Sequence, residues 1–158
     1  MAQNGSFVSR GGLWVLVQVP LMLLAGVIPV YFGSGQLTPV DSLAWFGAWI
    51  TAAGALLIAW SFVRLGKALT PFPRPLAGAR LRQNGPYQFM RHPIYSGVVL
   101  ASLGWALWWL SVGGIFCALL LGIFFDRKAR REENWLRQQY ADYADYAHRV
   151  KKFIPGIY

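Results

Sequence analysis

The feature that most constrains this chain is a set of apolar runs too long and too continuous to be hidden inside a water-soluble domain of 158 residues. From Leu13 to Phe32 only Gln18 breaks the run, and Pro20 and Pro29 are tolerable in a membrane helix where neighbouring groups satisfy the freed carbonyls. A second run extends from Leu43 to Val63 and is stopped by Arg64 and Lys67. A third begins at Pro93, suited to a first helical turn because its missing N–H costs nothing there, and continues to Leu110. The fourth, Ile115 to Phe125, is too short at about 1.5 Å per residue to cross about 30 Å of hydrocarbon. It suffices if the helix starts near Val112 and Arg127 and Lys128 snorkel to the surface.

The expected fold is an all-α polytopic membrane protein in a single domain, 1–158, with about four transmembrane helices near 13–32, 43–63, 93–110 and 112–128. Gly113 and Gly114 are expected to supply a tight turn, so that the last two spans form a helical hairpin. The first run is longer than the apolar core of a secretory signal and lacks an obvious cleavage site, so it is expected to be retained. The short loop carrying Gly33, Gly35, Pro39 and Asp41 joins the first two spans. Between the second and third, the stretch 65–92 carries Pro71, Pro73, Pro75 and Pro86 and reads as an interfacial loop, stiff enough for a lid or strap. A C-terminal helix over 132–150 places Leu136, Tyr140, Tyr143, Ala147 and Val150 on one stripe, which suits an amphipathic helix at the membrane interface or one that closes a site. Pro155 ends it.

The net charge of +9 invites a nucleic-acid reading, but the positions of the basic residues answer it. Arg10, Arg64, Lys67, Arg74, Arg80, Arg82, Arg91 and the basic residues from Arg127 to Lys152 all fall on one side of an alternating four-span topology. The opposite loops carry none, the asymmetry of the positive-inside rule, so both termini are expected on the cytosolic side and no nucleic acid is expected as a partner. Cys117, the single cysteine, lies in an apolar run, excluding an intrachain disulfide and the usual zinc clusters; no metal is expected.

Residues equally far from a hairpin turn lie at similar depth. Counting outward from Val112 matches Arg91 with Glu133 and His92 with Glu132, where the start of a helix also favours an anion. Such a cluster at the membrane edge suits a zwitterionic ligand with an extra positive centre, of which S-adenosylmethionine is one: an arginine or helix N-terminus for its carboxylate, a glutamate for its ammonium and ribose, and Tyr87 or Tyr95 as an apolar wall for its adenine. Gly85 and Gly97 leave room for close approach.

Gly85-Pro86-Tyr87, Arg91-His92-Pro93-Ile94-Tyr95 with Gly97, Glu132-Glu133, and Tyr143 to Pro155 with Arg149-Val150 together resemble the isoprenylcysteine carboxyl methyltransferases and the related phospholipid methyltransferases. The likeness covers the second half of the chain in order and spacing, and Thr70-Pro71-Phe72-Pro73 is similar to shorter prokaryotic-type members. It implies a membrane methyltransferase that uses S-adenosylmethionine and releases S-adenosylhomocysteine. Arg80, Leu81, Arg82, Tyr87, His92, Pro93, Ile94, Tyr95, Glu132 and Glu133 would bind the cofactor. Arg91 and Lys128 would position a lipophilic or lipidated acceptor drawn from the surrounding membrane lipid. Lys128 stands where the family's carboxyl methyltransferases have an arginine, and lysine lacks the planar fork that grips a carboxylate twice. A phospholipid amine methyltransferase and a non-catalytic membrane scaffold are the alternatives.

Overall fold

The computed structural model describes residue 7 and residues 11–34, 42–66, 69–74 and 80–158. Arg10, Lys67, Pro75 and the loop residues Gly35, Pro39 and Asp41 lie outside the described residues. Those described form α1 (Gly12–Phe32), α2 (Ser42–Leu65), a 3-10 turn (Gly85–Gln88), α3 (Pro93–Trp108), α4 (Val112–Gln139) and α5 (Tyr143–Arg149), with an isolated bridge between Met90 and Lys151. Among them no strand forms, as expected of an all-α chain.

Helices α1 and α2 are long and apolar enough to cross a membrane, and only 11% and 17% of their apolar stretches are buried. A core helix of a soluble protein would be mostly buried. Here Leu16, Leu23, Trp49, Leu56 and Val63 stand exposed, a surface far larger than water tolerates and one that lipid covers without cost.

Small residues bring α2 and α3 together. Gly47 and Gly54 lie seven residues apart on α2, and Gly97 and Gly104 seven apart on α3, a spacing that keeps each pair on one stripe. A Cβ on Gly54 would lie 2.5 Å from the Ala101 nitrogen and 2.6 Å from the Gly97 oxygen, and one on Gly47 would lie 2.6 Å from the Gly104 oxygen. Only glycine permits this backbone approach, the usual way apolar helices associate where no hydrophobic effect drives them together. The structure therefore reassigns two glycines: Gly97 faces Ile58 on α2, and Gly85, at φ +63°, faces the Arg64 side chain. Neither opening is toward the site.

The α3–α4 turn also differs from expectation. It is made by Trp109 to Ser111, with Leu110 at φ +49° and the Ser111 hydroxyl accepting from the Gly114 N–H at 3.1 Å. Gly113 and Gly114 already belong to α4, and Gly114 packs on Pro29 and Ala106. With its centre at Leu110, equal counting pairs Tyr95 with Phe125, which stack at 4.6 Å. Arg91 and His92 reach further down α4 than this count because they precede the helix, and extended backbone rises about 3.3 Å per residue against 1.5 Å in a helix.

The expected helix over 132–150 is instead two pieces. Glu132 and Glu133 ride on α4, which continues to Gln139, and the chain turns at Tyr140 to Asp142 before the short α5. Tertiary bonds hold that turn: Asp142 accepts from Gln83 at 3.1 Å, and Arg91 Nη1 donates to the Ala147 carbonyl at 2.9 Å and to that of Val150. Helix α5 consequently points Tyr143 and Tyr146 inward, both buried, instead of laying a tyrosine stripe on headgroups.

Candidate functional site

The start of α3 places the first group. His92 is the residue before Pro93, held outside the helix at φ −124° by the proline ring, and the C-terminal segment fixes its backbone and that of Arg91. The Arg91 N–H donates to the Lys151 carbonyl at 2.8 Å and that of His92 to the Lys152 carbonyl at 3.0 Å, while the Ser96 hydroxyl donates to the Phe153 carbonyl at 2.9 Å. Lys152 Nζ, at 2.8 Å, and the Tyr158 hydroxyl, at 2.9 Å, then fasten this segment to Asp126 on α4.

Glu133 is the hub. Its Oε1 accepts from Arg91 Nε at 2.9 Å and from His92 Nε2 at 3.1 Å. Burial alone would raise the Glu133 carboxyl, but His92 first and Arg91 second hold it down at about 2. An ionised carboxylate offers only acceptors, so Nε2 carries the imidazole proton and Nδ1 faces Glu132, 3.9 Å away. One turn of chemistry further, the Tyr95 hydroxyl donates to Glu132 Oε2 at 2.7 Å, and the His92 and Tyr95 rings lie parallel at 5.4 Å.

Two adjoining cavities open on this cluster. The smaller, about 110 Å³, is lined by Arg80, Leu81, Arg82, Tyr87, Arg91, Glu132, Tyr140, Tyr143 and Tyr146, with Thr70, Phe72 and Pro73 from the proline-rich loop. The larger, about 280 Å³, is lined by Tyr87, Arg91, His92, Pro93, Ile94, Tyr95, Lys128 and Glu132, with Gln18 from α1, Phe62 and Leu65 from α2, and Pro71. Leu65, Thr70, Tyr87, Arg91 and Glu132 border both. Burial first, and the charge of Glu132 second, keep the Tyr87 phenol protonated well above its usual range.

Every expected site residue but one therefore lies on a cavity wall. Glu133 is not among the lining residues; it sits behind Arg91 and His92 and holds them in place. Lys128 is 1% exposed, donates to Gln18 Oε1 and to the Pro71 carbonyl at 2.9 Å, and stands 5.4 Å from the Tyr95 ring centre. Gln18 and the tyrosines of α5 were not singled out as site residues by sequence reasoning. For Gln18 there was a signal, the one polar side chain in the first apolar run, but nothing in the sequence named its partner 110 positions away.

What can such a site hold? It combines a carboxylate facing both cavities, arginines around the smaller one, an aromatic wall, and a buried ammonium in the larger. That donor set fits an S-adenosyl group with its carboxylate, ammonium, hydroxyls and flat base. Among the described residues no group of three or more His, Cys, Asp or Glu side chains stands close enough to bind a metal ion.

Residues 43–143 match the family model described as phospholipid methyltransferase. Protein-S-isoprenylcysteine O-methyltransferase B of Arabidopsis thaliana is 30% identical over 116 residues, covering 71% of this chain and 59% of that protein. A probable protein-S-isoprenylcysteine O-methyltransferase of Oryza sativa subsp. japonica is 32% identical over 80 residues, 49% of this chain and 42% of its own. The protein-S-isoprenylcysteine O-methyltransferase of Dictyostelium discoideum is 34% identical over 84 residues, 48% of this chain and 32% of its own. The chain thus spans well under two thirds of the length of these relatives. The matched family region holds every expected site residue, whereas Gln18 and the segment from Val150 onward lie outside it.

Proposed function

Since the chain belongs to the phospholipid methyltransferase family, we propose that it is an S-adenosylmethionine-dependent methyltransferase of the isoprenylcysteine carboxyl type in the broad sense, acting on a lipophilic acceptor at the cytosolic face of a membrane. The observation that carries this reading is Glu132, a carboxylate that borders both cavities and is oriented by the Tyr95 hydroxyl. It stands where a water-soluble donor on one side and a lipid-tailed acceptor on the other have to meet.

In this reading four helices span the bilayer, and Gln18, Phe62 and Lys128 face the acceptor entering sideways between them. Bound in the site, the donor supplies an electrophilic methyl group on sulfur, and its departure as a neutral thioether needs no proton. The protein's task is alignment, with both partners held in contact and water kept out. Glu132 accepts from the donor's ammonium or ribose. Lys128, whose hydrogen bonds run to the neutral acceptors of Gln18 and Pro71, attracts an anionic nucleophile such as a carboxylate or thiolate. A carboxylate is already ionised and requires no base, whereas a thiol must first lose its proton.

An amine acceptor, as on a phospholipid headgroup, would bring a cationic group toward the same ammonium. The sign of Lys128 favours the anionic acceptor, and the named relatives are O-methyltransferases.

Calorimetric titration of the detergent-purified chain with S-adenosylhomocysteine tests the reading. Saturable one-site binding that Glu132→Gln abolishes is expected. A folded protein that binds nothing would return the chain to a scaffold.

A further inference from the structure

Tyr143 is among the largest fully buried side chains of the molecule, at 1% exposure, and its hydroxyl has no hydrogen-bond partner among the described residues. A buried phenol ordinarily finds a partner, because leaving the O–H unpaired costs the hydration it gave up. The neighbouring Tyr146, three residues on and packed edge-to-face at 5.9 Å, follows that rule: its hydroxyl donates to the Tyr87 carbonyl at 2.6 Å. The surrounding shell is also paired, Arg91 to Glu133 and α5, and Tyr95 to Glu132. Only one other buried side-chain polar atom among the described residues stands alone, Trp109 Nε1, at the hairpin turn and away from both cavities.

Tyr143 instead lines the smaller cavity beside Arg80, Arg82, Arg91 and Glu132. Burial, reinforced by the charges of Glu133 and Glu132 against that of Arg91, keeps its phenol protonated far above neutral pH, so it is a permanent neutral donor. A phenylalanine would fill the same space, and the oxygen has no structural employment.

We propose that the Tyr143 hydroxyl is a ligand-binding group of the donor site, donating a hydrogen bond to an oxygen of the bound S-adenosyl compound. The inference rests on the donor-binding reading above and adds to it a residue from α5, an element whose role sequence pattern left open between docking on headgroups and closing a site. The acceptor oxygen is either the α-carboxylate, toward which the arginines of the same cavity also point the charge, or a ribose hydroxyl. Both present the lone pair that a neutral phenol seeks.

The test is Tyr143→Phe in the full detergent-purified chain, titrated with S-adenosylhomocysteine and with 5′-methylthioadenosine, which lacks the amino-acid end. Tyr146→Phe serves as the structural comparison. Tyr143→Phe is expected to weaken S-adenosylhomocysteine about tenfold, the size of one net hydrogen bond, while the melting temperature without ligand is unchanged or higher. Tyr146→Phe, which strands the Tyr87 carbonyl, should melt lower. Weakening confined to S-adenosylhomocysteine assigns the bond to the carboxylate, and weakening of both ligands assigns it to the nucleoside. Equal affinity of Tyr143→Phe and wild type, or a melting loss as large as that of Tyr146→Phe, overturns the inference and leaves the donor reading standing. A wild-type chain that binds neither ligand overturns both.

Discussion

Glu133 shows why a residue can matter to a site it does not touch. Its carboxylate offsets the charge of Arg91 and accepts from both Arg91 and His92, so removing its charge leaves the guanidinium uncompensated beside a buried imidazole N–H. Taking one partner from such a cluster typically costs about 3–5 kcal/mol, or roughly 10 °C of Tm for a chain of this size. Glu133→Gln should melt lower by that order, and Glu133→Ala by no less. The pH dependence follows from the direction of its shift. Folding lowers the group from 4.5 to about 2, so its stabilisation is complete above its ordinary value and is lost as pH falls from there through the folded value. The wild-type melting temperature in detergent should therefore have an acid limb in that window, and Glu133→Gln should have a shallower one, with Asp126, itself paired with Lys152, supplying the rest. An identical limb in the variant would mean that another carboxyl is responsible. That Arg91 and His92 meet the glutamates was legible from the sequence, because both groups lie at the open end of one helical hairpin, although His92 bonds Glu133 and not the Glu132 that equal counting gave it. The division of labour was not: adjacent glutamates on a helix look alike until the fold turns Glu132 to the cavities and Glu133 to the inside.

The helices themselves were legible as apolar runs, and α1 and α2 begin and end within two residues of them. Their mutual packing was not, since glycines scattered in apolar helices carry no label for the surface they face. The structure ranks them. On Gly54 a methyl group would lie 2.5 Å from a backbone atom of α3, and on Gly97 it would lie 2.9 Å from the Gly54 carbonyl oxygen as well as 2.7 Å from the Ile58 side chain, so both would strike backbone that cannot move aside. Gly26 meets nothing within 4 Å. Thermal melts should accordingly show Gly54→Ala and Gly97→Ala both destabilised, by about 1–3 kcal/mol of overpacking. Gly26→Ala should be neutral or slightly stabilised, since alanine prefers a helix by about 1 kcal/mol. Melting like wild type in both variants would mean that α2 and α3 do not meet along this stripe. The break between α4 and α5 was equally hidden, because the periodicity of Leu136, Tyr140, Tyr143 and Ala147 continues across it. Hydrogen bonds from Gln83 and Arg91, both distant in sequence, decide that α5 turns back under the site.

At the scale of the whole molecule the charge distribution becomes geometry. Helix α2 runs against α3, α3 against α4 and α4 against α1, so the start of α1, the end of α2, the start of α3 and the end of α4 share one end of the bundle. That end carries every described basic residue together with both cavities. At the other end, the Ser34 hydroxyl donates to the Leu110 carbonyl at 3.4 Å, Gly33 packs on Trp109, and no charged side chain stands nearby among the described residues. A charged end with a basic excess and an uncharged end, about 30 Å apart along α1, suit a protein with a single preferred orientation in a bilayer. With Cys117→Ala as background, single cysteines at Arg137, exposed beyond the site, and at Val112, exposed at the hairpin turn, report the two ends separately. In sealed cells an impermeant maleimide should label the Val112 position only, and in inverted vesicles the Arg137 position only. Labelling of both positions from one side would show that α3 and α4 enter the bilayer without crossing it, and the acceptor would then have to reach Lys128 from the interface instead of from between the helices.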